Sequence, residues 1–296
     1  MTNRDEAEAM TQQATSTEVL RYTAFTADPA GGNPAGVVLD ARGWTDQRMQ
    51  ATAAYLGYSE TAFVLPGADP WRSEVRYFSP LAEVAFCGHA TVATAVALTE
   101  RHGPGDYTFD TPVGEIPVHT RITDGVASAT LTSVPTRFAP VAPALLTETL
   151  TYLNWHPRDL DPAHPPVVAY GGGHHLVLAA RTRKRLADLS YEFEPLAALM
   201  RQENWVTLQL VYFDPDGTIH SRNPFPVGGV VEDPATGAAA AALGGYLRPN
   251  LDRPTLLTIR QGEDLGRPSL LIVEIDPADP RIRVTGQAVP LPDPVH

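Results

Sequence analysis

The sequence predicts an α+β protein made of two similar domains, each a curled, barrel-like β-sheet around one central apolar helix. Two observations lead to this prediction. Short apolar and alternating runs, of the kind found in strands, fill most of both halves of the chain. Each half also contains one almost wholly apolar helical segment, His89 to Arg101 in the first and Ala238 to Leu247 in the second. A helix that is apolar on every side is buried, so each segment is expected inside its own sheet.

The domain boundaries follow from the length of the chain and from one proline-rich stretch. At 296 residues the chain is longer than one hydrophobic core usually serves. The proline-rich stretch, residues 135–166, separates two sets of strands. We expect an N-terminal domain over 17–135 and a C-terminal domain over 136–296, with the last strand free to pack back on the N-terminal domain. Residues 1–16 are expected to be a disordered tail.

In the first half, a further helix over TDQRMQATAAYLG precedes the apolar one. It is predicted to begin at Thr45 as N-cap and to stop at Gly57. The strands predicted in this half cover residues 18–25, 36–40, 61–66, 74–80, 107–121 and 126–134. The second half repeats this pattern with one apolar helix. Its predicted strands cover residues 167–170, 174–180, 208–214, 218–222, 255–262, 270–275 and 281–286.

Charge and hydropathy argue against two classes of partner. The chain has 22 basic and 34 acidic residues, a net charge of −12, and its only basic run is RTRKR at 181–185. Nucleic-acid binding is therefore not expected, and the basic run is interpreted as a solvated helix end. No apolar run approaches the ~18 residues of a membrane span, and the start of the chain does not resemble a signal peptide. We expect a cytoplasmic protein with no membrane partner.

Two residue types are scarce enough to exclude mechanisms. Cys87 is the only cysteine, which excludes an intrachain disulfide, a cysteine-based zinc site and any mechanism with two thiols. Lys184 is the only lysine and lies within the basic run, where a Schiff-base lysine for pyridoxal phosphate is not expected. The pair His174-His175 could suggest a metal, but adjacent strand residues point to opposite faces. No cofactor and no metal are expected.

The start of the second apolar helix carries an unusual set of residues. The segment VVEDPATGAAAAALGGYL places Glu232 and Asp233 directly before it. In one interpretation Asp233 or Thr236 only caps the helix. In the other, the two halves bring two helix N-termini to a shared cleft, whose free N–H groups and positive dipole ends favour an anion. That second interpretation predicts a small carboxylic or amino acid as substrate.

Four segments of the chain, GGNPAGVVLD, SETAFV, FSPLAEVAFCGHAT and EDPATGAA, resemble the phenazine-biosynthesis isomerases known as PhzF-like proteins. These belong to the diaminopimelate epimerase-like fold superfamily, and the likeness extends from about Thr17 to the end of the chain. The resemblance implies a diaminopimelate epimerase-like fold, a cofactor-independent isomerase and a homodimer. It also suggests a role in phenazine biosynthesis or related secondary metabolism.

The resemblance also assigns site residues by matching motifs. Glu60, in Ser59-Glu60-Thr61, corresponds to the general acid/base of the family, and His89 and Asp233 lie at the two helix starts. We therefore expect Glu60, His89 and Asp233 to be catalytic. The expected substrate-binding residues are Asn33, Ser59, Gly88, Thr236, Gly237 and Ala238.

The assigned chemistry is consistent with the residue types. Moving a hydrogen between carbons of an unsaturated amino acid needs a group that takes a proton and returns it. A carboxyl in a cleft does this well because burial raises its pKa towards neutrality. Simpler interpretations remain open: Glu60 could be an exposed strand-end carboxylate, His89 could cap or pack, and Cys87 could be a small buried hydrophobe.

One position departs from the family pattern. The motif usually ends in serine, as D-P-A-T-G-S, whereas this chain has Ala238. A hydroxyl that would bind substrate or stabilise charge is missing, so the substrate is expected to differ from the phenazine precursor. Two alternatives therefore stay open beside isomerisation: elimination or cyclisation on the same fold, and a non-catalytic small-ligand-binding protein.

Overall fold

The computed structural model describes residues 18–292, and the tail predicted for residues 1–16 lies outside the described residues. The strands are β1 Val19–Ala24, β2 Asn33–Val38, β3 Glu60–Pro66, β4 Arg72–Phe78, β5 Glu83–Val84, β6 Asp106–Thr111, β7 Gly114–Thr123, β8 Val126–Thr132, β9 Arg137–Pro140, β10 Val167–Tyr170, β11 His174–Ala179, β12 Trp205–Phe213, β13 Thr218–Pro224, β14 Glu232–Asp233, β15 Thr255–Gln261, β16 Ser269–Ile275 and β17 Ile282–Pro290. The α-helices are α1 Asp46–Leu56, α2 Gly88–His102, α3 Pro143–Tyr152, α4 Arg183–Ala187, α5 Phe193–Gln202 and α6 Gly237–Leu247.

Eight strands form a closed barrel around α2. The ring runs β1-β2-β3-β4-β6-β7-β8-β17 and returns to β1. Its pairs are antiparallel except β2–β3 and β4–β6. The closing strand, β17, comes from the far end of the chain. It pairs with β8 through Arg283 to Gln287 and with β1 through Ala288 to Pro290.

The second half repeats this arrangement around α6. Its sheet runs β9-β10-β11-β12-β13-β15-β16-β17. The parallel pairs, β11–β12 and β13–β15, are separated by a single antiparallel pair, as are the two parallel pairs of the barrel. In each half a two-residue strand, β5 or β14, leads into the central helix. The two halves are therefore similar, and β17 belongs to both sheets. The predicted domain boundaries stay a prediction.

The central helix α2 shows how polar residues are accommodated in a barrel interior. Twelve of its fifteen residues are buried, although several of them are threonines. The hydroxyls of Thr91, Thr94 and Thr99 each donate to the carbonyl oxygen four residues earlier, at 2.7, 2.7 and 2.8 Å. These bonds satisfy the buried hydroxyls within the helix itself. Small side chains along α2 thus fill the barrel without leaving unpaired polar atoms on these residues.

The first helix matches its prediction at both ends. The Thr45 side chain accepts a hydrogen bond from the backbone N–H of Arg48, as an N-cap does. Gly57 ends the helix in the left-handed conformation, at φ 67°.

Two features of the secondary structure differ from the sequence prediction. The predicted strand over 107–121 is a hairpin, β6 and β7, that turns at residues 112–113 and continues through Gly114 at φ 120°. Helices α3 and α5 in the second half were not predicted, and α4 begins within the basic run that was interpreted as a solvated helix end. All three helices are short, and α5 buries only one face, through Leu196, Leu199 and Met200. None of them resembles the fully apolar central helix. Among residues 18–292, no helix is long and apolar enough to cross a bilayer.

Candidate active site

The N-termini of α2 and α6 face each other and touch. A Cβ built on Gly88 would lie 2.9 Å from the Cα of Gly237, and a Cβ on Gly237 would lie 3.3 Å from the Cα of Gly88. Glycine is therefore required at Gly88 for the two helix starts to approach this closely. The first-turn N–H groups and the positive ends of both helices point into the same region, which favours a bound anion there.

Glu60, the first residue of β3, lies at this junction. Glu60 is only 6% exposed, so the interpretation of this residue as an exposed strand-end carboxylate is wrong. The side chain borders a cavity of about 580 Å³ that Ala238 at the start of α6 also lines. Burial raises the pKa of the Glu60 carboxyl to about 7, because the charged form loses hydration, and side-chain hydrogen bonds from Ser59 and Cys87 partly oppose this rise.

Asn33, His89 and Asp233 form a buried network beside Glu60. The Nδ2 atom of Asn33 donates to Asp233 Oδ1 at 2.6 Å and to the carbonyl oxygen of Ala235 at 3.0 Å, and it lies 3.0 Å from His89 Nδ1. The Nε2 atom of His89 lies 3.6 Å from Glu60 Oε2. Asn33 is the first residue of β2, so the N-terminal half supplies the amide that joins the two helix starts.

Ser59 and Cys87 complete the surroundings of His89. The hydroxyl of Ser59 lies 3.3 Å from His89 Nε2 and 3.4 Å from Asn33 Oδ1. The thiol of Cys87 donates to Glu60 Oε2 at 3.5 Å and lies 3.2 Å from His89 Nδ1. Burial lowers the pKa of His89 to about 3, so its imidazole is neutral, and burial raises the pKa of the Cys87 thiol well above its usual value. A neutral imidazole orients a substrate by hydrogen bonding rather than by charge.

The two acids of this site influence each other. Burial raises the pKa of Asp233 to about 8, and the nearby charge of Glu60 raises it too, whereas hydrogen bonds from Thr236 and Asn33 lower it. Because both carboxyls are buried and repel each other when ionised, the pair retains a proton near neutral pH. A proton acceptor and a proton donor can therefore be present together.

The capping interpretation of the second helix start is wrong. Thr236 is the N-cap residue of α6, but its side chain makes no cap bond. Its hydroxyl donates instead to Asp233 Oδ2 at 2.5 Å. Asp233 thus accepts two side-chain hydrogen bonds on its two oxygens, one from each half of the molecule. Its carboxyl therefore belongs to the buried network at the junction and does not cap the helix.

Three side chains carry atoms that could together hold a metal ion. Ligand-type atoms of Glu60, Cys87 and His89 all lie within 4.8 Å of one another, and all three residues are buried. Since the pKa of the thiol is raised, a metal would have to displace the proton on Cys87. That the site works without a metal stays a prediction.

Comparison with known proteins shows the family to which the chain belongs. Residues 22–293 match the PhzC-PhzF family model, described as phenazine biosynthesis-like protein. The chain belongs to this family. The resemblance inferred from the four motif segments is thereby confirmed.

The curated relatives of this family member are isomerases by name. The uncharacterized isomerase YfhB of Bacillus subtilis (strain 168) is 33% identical over 288 residues, covering 92% of this chain and 96% of that protein. The trans-2,3-dihydro-3-hydroxyanthranilate isomerase of Pseudomonas aeruginosa is 29% identical over 265 residues, covering 88% of this chain and 90% of that protein. These names support an isomerase activity for the chain.

Solved structures confirm the fold class. A PhzF-family phenazine biosynthesis protein of Bacillus anthracis superposes with a TM-score of 0.82 at 27% identity, covering 93% of this chain and 96% of that one. A probable proline racemase of Agrobacterium radiobacter K84 shares the fold with a TM-score of 0.65 at 15% identity, covering 94% of this chain and 92% of that one. The diaminopimelate epimerase-like fold predicted from the sequence is therefore correct.

Within this family member, the structure brings all nine sequence-predicted site residues to one junction. These residues lie at the starts of β2, β3, α2 and α6, in the short strand β14, and immediately before β3. Ala238, at the position where the family motif has serine, lines the cavity and presents only a methyl group there. The cavity walls are mainly apolar, formed among others by Val84, Phe86, Val113, Trp205, Val206 and Phe225. A second cavity of about 530 Å³ contains none of the nine predicted residues.

Sequence reasoning missed two residues that hold β14 in place, one bonded to Asp233 and the other to Glu232. The Gln261 side chain donates to the carbonyl oxygen of Asp233 at 2.8 Å and accepts from the backbone N–H of Thr236 at 3.1 Å. Arg222 forms a buried ion pair with Glu232, with Nε 3.0 Å from Oε1. The two adjacent acids thus differ: Glu232 anchors β14 against Arg222, and Asp233 belongs to the buried network with Asn33 and Thr236. Only the acid pair gave a signal in the sequence.

Proposed function

We propose that this family member is a cofactor-independent isomerase of the PhzF type, in which Glu60 acts as general acid/base on a small unsaturated or cyclic amino or carboxylic acid. The observation that carries the proposal is the burial of Glu60 beside the cavity, where its pKa is raised to about 7. A carboxyl with a pKa near neutral pH can accept a proton and return it with only a small free-energy cost in either direction.

The proposed step conserves all atoms. Ionised Glu60 takes a proton from a substrate carbon, the electron pair of the broken C–H bond forms a new double bond to the adjacent carbon, and the pair of the existing double bond moves to its far carbon. The same carboxyl then gives its proton to a carbon at the other end of the unsaturated system, so the double bond changes place. Neither an oxidant nor a second reactant is needed.

The other residues would bind and orient the substrate. The facing starts of α2 and α6 suit a substrate carboxylate, since their N–H groups and dipoles favour negative charge. Asp233, fixed by Asn33 and Thr236, suits a substrate amino group. Neutral His89, 3.6 Å from Glu60, would hydrogen bond the reacting region and help stabilise charge as it develops.

Further parts of the proposal rest on the family. The Pseudomonas aeruginosa relative is named for the substrate trans-2,3-dihydro-3-hydroxyanthranilate, which suggests a cyclic unsaturated amino acid and a place in secondary metabolism here too. We also propose a cytoplasmic homodimer that takes a small-molecule substrate and binds neither nucleic acid nor membrane. Sedimentation of the purified chain would test the dimer.

Ala238 favours one alternative. Without the family hydroxyl, the cavity could bind a related ligand and leave it unchanged, as a non-catalytic binding protein would. Elimination or cyclisation would use the same base but change the reaction. Product mass separates elimination, which lowers the mass, from isomerisation and cyclisation, which conserve it. The absorbance of the product separates those two reactions from a binding protein, which returns the ligand intact.

The decisive experiment follows proton transfer directly. The purified protein is incubated with trans-2,3-dihydro-3-hydroxyanthranilate in D₂O, and the conjugated-diene absorbance and deuterium content of the product are followed together. Glu60→Gln should abolish turnover while keeping fold and ligand binding. Glu74→Gln, at an exposed carboxyl of β4, is the matched control and should keep activity. Turnover that survives in Glu60→Gln would overturn the proposal. If the wild type is inactive on this substrate, the same assay is repeated with other unsaturated amino acids.

A further inference from the structure

The connection from β15 to β16, residues 261–268, contacts both halves of the molecule at the candidate active site. At its start, the Gln261 side chain donates to the backbone carbonyl oxygen of Asp233 at 2.8 Å. Near its end, the Arg267 guanidinium donates from Nε to the carbonyl oxygen of Gly32 at 2.8 Å. Gly32 is the last residue before β2. The connection therefore links the backbone of Asp233 to the start of β2, which belongs to the other half.

Arg267 holds the Gly31-Gly32 segment through several hydrogen bonds. Besides the bond from Nε, its Nη2 donates to the carbonyl oxygen of Gly31 and to the hydroxyl oxygen of Thr23, the latter at 3.2 Å. The next residue, Pro268, accepts at its carbonyl oxygen from the backbone N–H of Gly32 at 3.0 Å. These acceptors of Arg267 are neutral oxygens, so the planar fork of donors recognises the shape of the segment, which a lysine could not do.

The Gly31-Gly32 segment is closely packed on both sides. A Cβ on Gly31 would lie 2.6 Å from the carbonyl oxygen of Pro268, and a Cβ on Gly32 would lie 2.6 Å from Thr23 Oγ1. Gly32 also adopts φ 67°, a conformation that favours glycine. The backbone directly before β2 is thus packed between β1 of its own half and the β15–β16 connection of the other half.

The position of this backbone determines where the Asn33 amide lies. Asn33 is the first residue of β2. Its Nδ2 donates to Asp233 Oδ1 at 2.6 Å and lies 3.0 Å from His89 Nδ1. The asparagine side chain has only two rotatable bonds, so it cannot keep both contacts if its backbone is displaced. A displacement of about 1 Å in an active site can lower a rate by about 100-fold.

We propose that Arg267 is a positioning residue, which fixes the Gly31-Gly32 segment and thereby holds the Asn33 amide against Asp233. The inference rests on the proposed function in one respect, the reaction that Asn33 and Asp233 serve. Arg267 is not among the residues that line the cavity of about 580 Å³. It acts on the alignment of the two halves and does not contact the ligand.

A role limited to the stability of the connection predicts a different outcome. The backbone N–H of Arg267 donates to the carbonyl oxygen of Gly262 at 3.0 Å, so a main-chain bond closes the connection. A substitution of the Arg267 side chain leaves that bond in place. We therefore expect such a variant to keep its fold and to release mainly the Gly31-Gly32 segment. The deciding observation is the state of the Asn33 amide in a folded variant.

The first test observes the Asn33 side-chain amide by NMR of the ¹⁵N-labelled protein, with its signal assigned by its absence in Asn33→Asp. Arg267→Met keeps a long side chain and removes every donor, so this amide should exchange hydrogen with solvent at least about tenfold faster. Arg267→Lys keeps the charge without the planar fork and should show a smaller change in the same direction. Arg253→Met, at an exposed arginine before β15, is the control. Exchange at the wild-type rate in folded Arg267→Met or Arg267→Lys would overturn the inference.

A double-mutant cycle gives a second measurement that does not depend on the NMR signal. Arg267 and Asp233 share no hydrogen bond, although both lie in the described part of the chain. If Arg267→Met and Asp233→Asn act independently, their effects on the unfolding equilibrium constant multiply. Positioning through Asn33 predicts that the double variant departs from this product by at least about fivefold, and that the departure disappears in an Asn33→Ala background. Effects that multiply within about twofold would contradict the proposal.

Turnover separates this inference from the proposed function. On a substrate that wild type converts, Arg267→Met should lower kcat/KM by about 10- to 100-fold, whereas Arg253→Met should keep it. Wild-type kcat/KM in Arg267→Met would refute the positioning role. If wild type converts no substrate, only the proposed function fails, because the amide exchange and the double-mutant cycle still decide whether Arg267 holds Asn33 in place.

Discussion

Gly88 and Gly237 are in contact across the boundary between the two halves, so closely that a Cβ on Gly88 would lie 2.9 Å from the Cα of Gly237. Each glycine opens a central helix, and each helix is surrounded by its own sheet. The contact therefore fixes the distance between the two helix starts. The geometry of the whole cleft depends on this contact, because Glu60, His89 and Asp233 are positioned from the two sides of it.

Gly88→Ala tests this dependence. The added methyl group meets backbone atoms that cannot rotate away, so the helix starts must separate. We expect a loss of about 1–3 kcal/mol in the free energy of unfolding and a fall of at least about tenfold in kcat/KM, since a displacement of about 1 Å is costly in an active site. Denaturant unfolding and steady-state kinetics measure the two effects. Gly67→Ala, where the nearest atom lies at 3.3 Å, is the control. Unchanged activity in Gly88→Ala would show that the spacing is not critical.

Asn33→Asp tests the hydrogen bond between Asn33 and Asp233. The substitution keeps the size of the side chain but replaces the donor Nδ2 by an acceptor 2.6 Å from a carboxylate oxygen. We expect a loss of about 2–4 kcal/mol in unfolding free energy and a fall of about 100-fold in kcat/KM. Asn250→Asp, at an exposed position, should change neither quantity. A fully active Asn33→Asp protein would remove Asn33 from the site.

The raised pKa of Glu60 predicts how stability depends on pH. Its value of about 7 lies above the 4.5 of the unfolded chain. The folded protein therefore binds a proton that the unfolded chain releases, and wild type loses stability as the pH rises from about 4.5 to about 7. Glu60→Gln cannot ionise, so it should match wild type near pH 4 and exceed it by up to about 3 kcal/mol near pH 8. Chemical denaturation at several pH values measures the difference.

The control for this pH dependence is Glu74→Gln, which removes an exposed carboxyl from β4. Its difference from wild type should stay small at every pH. A difference between wild type and Glu60→Gln that is constant from pH 4 to pH 8 would contradict the raised pKa. It would also weaken the assignment of Glu60 as general acid/base.

Ala238→Ser restores the hydroxyl that the family motif usually has. Ala238 lines the cavity at the start of α6, so the new hydroxyl would face the ligand. If this position sets substrate choice, kcat/KM for trans-2,3-dihydro-3-hydroxyanthranilate should rise by about 5- to 100-fold, the value of one good hydrogen bond. Ala240→Ser, on the same helix but not lining the cavity, is the control. Equal kinetics for wild type and Ala238→Ser would mean that specificity is determined elsewhere.

The parts of this site that could be predicted are those encoded by short contiguous motifs. Glu60, His89 and Asp233 lie in three separate motifs, and the family resemblance together with two apolar helices was enough to bring them together. Thr45 and Gly57 marked the ends of α1 because capping depends on residues within one turn.

The parts that could not be predicted depend on contacts between distant strands. Gln261 contacts Asp233 from β15, and Arg222 contacts Glu232 across the β13–β14 pair. Neither contact could be predicted from the spacing of residues within one segment of the sequence. The hairpin formed by β6 and β7 could have been predicted, since Pro112 and Gly114 are turn signals in the sequence. The prediction of one long strand over 107–121 did not take them into account.

The shared strand β17 has a consequence for how the chain folds as it is synthesised. Most N-terminal domains can complete their fold while the rest of the chain is still being made. Here the first barrel closes only when residues 283–290 pair with β8 and β1, which lie roughly 150 to 270 residues earlier. Until residues 283–290 have been synthesised, β1 and β8 are therefore exposed sheet edges, open to pairing with another chain. The final strand thus closes the first barrel at the moment the second sheet receives its last member, and both halves reach their native state together.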